Sequence, residues 1–217
     1  DGNRMKIYLI RHGRQCSRLC NANVDLCEEG YRQAELVGRR LEHAGIEKLY
    51  SSDLLRAVQT AETANRYWNV EHVIRPELRE ISFGDMEGLS DDVIAERFAE
   101  FKLRQNQMLE DLPYPGGECA GDVIQRAMPI LLEIAQSGLN RVAVVTHGGV
   151  IRSVTAGILE MNLAKARLIG GSLENCSITE LEYSPEKPFF VLERFNDYAH
   201  LEQEPELLRC HWAGQEN

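Results

Sequence analysis

The sequence predicts an α/β fold: a mostly parallel sheet with helices on both faces and one antiparallel strand near its end. Three observations predict it. "MKIYLI" (5–10) and "RVAVV" (141–145) are nearly continuous apolar runs, as strands covered on both faces must be. Between such runs lie segments whose apolar residues recur at helical spacing. Finally, "CSITELEY" (176–183) and "FFVLERFND" (189–197) are joined by "SPEKP" alone, which suits an antiparallel pair.

Each element follows in turn. Residues 5–10 form the first strand. Residues 28–44 form a helix, because Tyr31, Ala34, Val37 and Leu41 make one apolar stripe, and Gly45 stops it. "KLYSS" (48–52) is a second, short strand, and Asp53 is placed to cap the helix that runs to about Tyr67. "EHVI" (71–74) is a third strand, closed by Pro76. Residues 90–111 read as a single helix opened by Ser90 and Asp91; its Val93, Ile94, Phe98, Phe101 and Leu103 either pack on the core or form a lid. "PYPGGE" (113–118) is a loop by its glycines and prolines. A helix over 122–137 carries Pro129 as a kink. The strand "RVAVVTHGG" (141–149) runs into glycines, with a helix from Val150. The polar tail after about 203 reads as loose. The chain therefore reads as one domain over 5–200, with 76–121 inserted between sheet elements. Met5 fits a native start, with residues 1–4 a remnant ahead of it.

Composition narrows the function. Of 217 residues, 43% are hydrophobic, enough for a real core, and the net charge is −10. An acidic chain argues against general nucleic-acid binding, which needs a basic surface, yet a pocket can be locally basic. No apolar run is long enough for a membrane span, and the start lacks the pattern of a signal peptide, so a cytoplasmic location is expected. "NCS" (175–177) matches a glycan acceptor by chance on that view. Cys16, Cys20 and Cys27 fit no zinc spacing; these and Cys119, Cys176 and Cys210 read as reduced thiols, with no metal and no cofactor required.

In open α/β sheets, ligands bind beyond the carboxyl ends of the strands. The first strand ends on Arg11, His12 and Gly13; the second on Ser51 and Ser52, with Arg56 in the next helix; the fourth on Thr146, His147, Gly148 and Gly149. Two arginines and two histidines thus converge on one edge. Arginines fork onto phosphoryl oxygens, one histidine can carry a covalent intermediate, and a second can donate to oxygens where charge builds up. What this set lacks is a proton donor for the leaving group; "LREISFGDMEG" (78–88), a glycine-bearing loop, offers Glu80, Asp85 and Glu87.

"LIRHGRQ", "SSDLLRAVQTAE", "LREISFGDMEG", "PGGE" and "VVTHGGVIR" occur in an order that resembles the histidine phosphatase superfamily, also called phosphoglycerate mutase-like; "FNDYAHL" resembles its closing strand. The resemblance spans about 12 to 200 and implies a three-layer α/β/α sandwich with metal-free catalysis through a phosphohistidine. It makes His12 the nucleophile, Arg11, Arg56 and His147 the phosphate pocket, and Glu80 the acid and then the base. The second nitrogen of His12 should then donate to a backbone carbonyl. Four positions depart from the family's pattern: Gln15 stands for a threonine, Arg18 for a frequent asparagine, Cys27 for a capping threonine and Cys119 for a serine. Asn21 or Asn23 could replace the asparagine only if the loop bends differently. Arg14, Gln15, Arg18, Tyr114 and Glu118 are the candidate rim. His43, His72, His200 and His211 read as structural or exposed, and the cysteines near the mouth as space-fillers. "FGDMEG" resembles the phosphatase branch, so the expected activity is hydrolysis of a small cytosolic phosphorylated metabolite. The alternatives are a phosphoglycerate mutase-type transferase and a catalytically weak phospho-ligand binder. The oligomeric state is not legible.

Overall fold

A computed structural model describes residues 4–212. The apolar runs become the sheet: β1 (Met5–Arg11), β2 (Lys48–Ser51), β3 (His72–Ile74), β4 (Arg141–Thr146), β5 (Ile178–Ser184) and β6 (Lys187–Asp197). Their order is β3-β2-β4-β1-β5-β6. The first four are mutually parallel, and β5 runs antiparallel to both β1 and β6. One strand therefore opposes the other five, as the short "SPEKP" link predicts.

Alternate side chains of these strands point to opposite faces. Ile7 and Leu9 pack with Val142, Val144 and the apolar faces of α5 (Ala120–Ala135) and α6 (Gly148–Ile158). Tyr8 and Ile10 pack with Ala143, Val145 and the faces of α1 (Glu28–Arg40) and α2 (Leu55–Asn65). That is the three-layer sandwich. Fully burying a Leu, Ile or Val side chain contributes about 1.5–3 kcal/mol, so these two clusters hold β1 and β4 at the centre.

The elements differ from expectation in five places. In α1 the buried stripe is Ala34 and Val37, with Leu41 beyond the helix end, whereas Tyr31 is exposed. Asp53 does not cap α2; it is drawn away by a bidentate pair with Arg79, and the Leu55 N–H donates instead to Asn23. The segment 90–111 is two helices, α3 (Asp91–Arg97) and α4 (Ala99–Asn106), broken at Phe98; Ser90 does cap the first, accepting from Val93 N. Helix α5 starts at Ala120 and continues through Pro129. The tail is not loose up to residue 212: 3-10 turns at Ala199–Leu201, Pro205–Leu207 and Arg209–His211 dock it, with Leu201 and Leu207 fully buried. Residues 1–3 and 213–217 lie outside the described residues. No described helix is long and apolar enough to cross a membrane.

Candidate active site

The ends of β1, β2 and β4 are adjacent because β4 lies between the other two. Their polar termini therefore meet, beside a cavity of about 1050 Å³ lined by Arg11, His12, Arg56 and Glu80. His12 is buried, and its backbone is pinned on both sides: His12 N donates to Thr146 O, and Asn175 Nδ2 donates to His12 O. Gly13 follows because the chain passes against α1: a Cβ there would sit 2.6 Å from Gly30 O. Its N–H donates to Thr60 Oγ1, whose hydroxyl donates to Arg56 O. One threonine on α2 thus ties the loop after His12 to the helix that carries Arg56.

His12 Nδ1 lies 2.7 Å from Gly13 O, so this nitrogen carries the proton and donates. The lone pair of Nε2 then faces the Arg56 Nε–H at 3.3 Å. Burial, and after it the positive charges of Arg56 and Arg11, hold His12 neutral well below its ordinary 6.5. A neutral imidazole with an unprotonated Nε2 is the nucleophilic form. Arg56 is also buried; its Nη2 donates to Asn21 Oδ1 at 2.5 Å. Asn21 manages this with a left-handed backbone, φ 47°, the different bend that the sequence left open.

His147 is fully buried under the site, its ring centroid 5.0 Å from that of His12. Ser52 Oγ accepts from Leu54 N and lies 2.7 Å from His147 Nε2. His147 Nδ1 is buried with no partner among the described residues; where the serine hydroxyl donates to Nε2, the imidazole proton sits on Nδ1. Arg11 donates through Nη1 to Leu173 O; burial, then the charge of Arg209, lower its pKa to about 9, so it stays cationic at neutral pH.

Of the three candidate acids, only Glu80 faces the cavity; Asp85 and Glu87 are exposed outside it. The Glu80 carboxylate accepts from Ile81 N at 2.8 Å and Gly149 N at 3.3 Å. Glycine at 149 is what admits it: a Cβ there would lie 2.3 Å from Glu80 Oε1. The loop is held from behind by Arg126, which donates to the carbonyls of Glu77, Arg79 and Glu80.

The rim is partly as expected. Arg14, Gln15, Arg18 and Tyr114 line the cavity, and so do Asp91, Ile94, Ala95 and Lys102 of the inserted helices. Glu118 does not. It turns inward to pair with Arg126 and to accept from Ser82 N, so its part is to brace the Glu80 loop. Asn175 is 3% exposed and engaged at His12, which rules it out as a glycan acceptor. All six cysteines are free. Cys20 and Cys27, at the cavity wall, are pushed up to about 11, chiefly by burial, and so are not thiolates at neutral pH. Among the described residues, the acidic group Glu180, Glu182 and Glu193 could geometrically hold a cation, but Lys6, Arg4 and Arg194 pair with its buried members.

Sequence reasoning placed Ser52 at a strand end without a role and missed Asn175, Thr60, Gln33, Arg126, Arg209 and Trp212. Asn175, Thr60 and Gln33 are uncharged residues that brace a backbone through partners distant along the chain. Arg209 and Trp212 lie in a segment without periodicity.

Residues 7–197 match the model of the histidine phosphatase superfamily (branch 1). The chain belongs to that superfamily. It is 29% identical over 210 residues to a probable phosphoglycerate mutase, GpmB, of Yersinia pestis, covering 91% of this chain and 95% of that one. Among solved structures it resembles a mycobacterial glucosyl-3-phosphoglycerate phosphatase, with a TM-score of 0.80 and 26% identity over 90% of this chain and 100% of the other. Bacillus stearothermophilus YhfR superposes with a TM-score of 0.79 at 26% identity, covering 91% of this chain and 99% of that one. The membership and the geometry agree on phosphatase or mutase chemistry at this edge of the sheet.

Proposed function

We propose that the protein is a metal-independent phosphomonoesterase of small, cytoplasmic phosphorylated metabolites, working through a phosphohistidine at His12. The observation that carries this reading is the neutral His12 imidazole, its Nε2 lone pair open toward Arg56 beside a cavity that Glu80 shares. In the first step Nε2 attacks phosphorus while the ester P–O bond breaks, and Glu80 gives its proton to the leaving oxygen. In the second, Glu80 takes a proton from water, whose oxygen attacks phosphorus as the P–N bond breaks. Arg11, Arg56 and the orphan Nδ1–H of His147 stabilise the equatorial oxygens in both steps. Similarity to a solved glucosyl-3-phosphoglycerate phosphatase supports hydrolysis.

The test is turnover of p-nitrophenyl phosphate in EDTA. Activity should survive chelation and fall by on the order of a thousandfold or more in His12→Ala. Activity lost to chelation, or retained by the variant, would overturn the reading. The curated relative's name, probable phosphoglycerate mutase, favours a second reading in which water is excluded and the phosphoryl group returns to another hydroxyl. Phosphorus NMR of a phosphoglycerate reaction separates the two: inorganic phosphate marks hydrolysis, an isomeric ester marks the mutase.

A further inference from the structure

A second, smaller cavity of about 300 Å³ meets the first at Arg11, Glu80, Phe83 and Tyr114, which line both. The rim residues Arg14, Gln15 and Arg18 line the large cavity alone; Gln105 of α4 and Arg152 of α6 line the small one alone. The two N–H groups that tether the Glu80 carboxylate belong to Ile81 and Gly149, both residues of the small cavity. The carboxylate therefore stands where the two cavities join.

Three polar atoms of residues lining the small cavity are buried without a hydrogen-bond partner among the described residues: Gln105 Oε1, Arg152 Nε and Arg11 Nε. Gln105 is only 8% exposed. The ends of both arginines are already taken: Arg11 Nη1 donates to Leu173 O, and Arg152 Nη2 donates to the carbonyls of Gly170 and Gly171. Their inner N–H groups remain. Arg11 Nε lies beside Gly148, a residue of the small cavity alone, where a Cβ would sit 3.6 Å from it. Buried polar atoms are nearly always paired, and those that the protein leaves unpaired beside a cavity are met by water. One acceptor and two donors suit a molecule that both donates and accepts. The charges balance, Arg11, Arg152 and Arg167 against Glu80, Glu110 and Asp111, which favours neither an anion nor a cation. At about 30 Å³ each, on the order of ten waters fill the volume.

We propose that the small cavity is the reservoir of the hydrolytic water, with Gln105 and Arg152 as positioning residues for it. This rests on the phosphatase reading and supplies the source of its second nucleophile. In an in-line displacement, water must reach phosphorus on the side opposite His12 Nε2, the side that the alcohol has left and where Glu80 works. The water oxygen forms the new P–O bond, one of its protons passes to Glu80, and the electron pair of the P–N bond returns to Nε2. Water held by Gln105 Oε1 and the two arginine N–H groups enters from the small cavity, while the alcohol leaves by the large one. A phosphoenzyme supplied in this way is hydrolysed before a second hydroxyl can take the phosphoryl group, so the device selects hydrolysis over transfer.

Rapid-quench kinetics with radiolabelled p-nitrophenyl phosphate separate formation of the phosphoenzyme from its decay. Gln105→Leu removes the acceptor at nearly constant volume. Ala164→Leu fills the cavity from its apolar wall and leaves all three polar atoms in the chain. In both variants decay should slow by about three- to tenfold, the effect of one neutral hydrogen bond, with formation unchanged. With glycerol added, the ratio of glycerol phosphate to inorganic phosphate should rise by the same factor. Decay at the wild-type rate in both variants would overturn the proposal. So would equal slowing of formation and decay, the mark of a merely structural role. A wild type that forms no phosphoenzyme on His12 refutes the phosphatase reading itself; a phosphoenzyme whose decay neither variant alters refutes only the water site.

Discussion

A Cβ on residue 149 would lie 2.3 Å from the Glu80 carboxylate, and Ile81 would crowd it at 2.7 Å. The second glycine of "THGG" thus makes room for the acid, a purpose not visible in the motif, which suggests only close approach to a ligand. Gly149→Ala should push Glu80 off its hydrogen bonds and lower kcat by about a hundredfold, the low end of what a positioned acid–base group contributes. In the first step alone, read as the burst of released alcohol, p-nitrophenyl phosphate should lose much less, because its leaving group needs little protonation. Equal losses of that first step on alkyl and nitrophenyl esters would contradict the assignment of Glu80 as the acid. At this scale the charged residues and histidines that the fold brings together are legible in the sequence, because Arg11, His12, Arg56, His147 and Glu80 each sit in a strand end or loop with a recognisable block around it. Their braces are not. Thr60, Ser52 and Asn175 act through single hydrogen bonds to groups distant along the chain, and only folding shows the partner.

Helix α2 does two jobs at once, presenting Arg56 and receiving the loop after His12 on Thr60. Thr60→Val keeps the shape but leaves the buried Gly13 N–H unpaired, which should cost about 1–3 kcal/mol. Urea unfolding measures it; a midpoint equal to the wild type would show that the tie is dispensable. The central strands were the easiest elements to read, since β1 and β4 are covered by helices on both faces and must be apolar throughout. The break between α3 and α4 has no such signal: Phe98 adopts φ −115° and ψ 25° with no glycine or proline nearby to announce the bend. The tail hides for a related reason. Its three short 3-10 turns are held by two leucines and by pairs with α1, too few apolar positions to make a period.

The whole molecule should respond to acid through its histidines. His12, His147, His72 and His200 all have pKa values lowered from 6.5, in each case chiefly by burial, and His200 falls to about 4. In the unfolded chain these rings take up protons as the pH drops through about 6.5. In the folded chain they stay neutral to lower pH, so the unfolded state binds more protons. Stability is therefore fully present above about pH 6.5 and declines below it, by about 1.4 kcal/mol per pH unit for each ring still neutral when folded. The urea midpoint should be lower at about pH 5.5 than at about pH 7.5; an unchanged midpoint would contradict the burial of neutral rings. The central claim, covalent catalysis at His12, is tested most directly by trapping the intermediate. Glu80→Gln, mixed with p-nitrophenyl phosphate and quenched in base, should accumulate phosphate on the peptide that contains His12, because the base for the second step is gone. Release of p-nitrophenol with no phosphate on His12, or with phosphate on another residue, would contradict it.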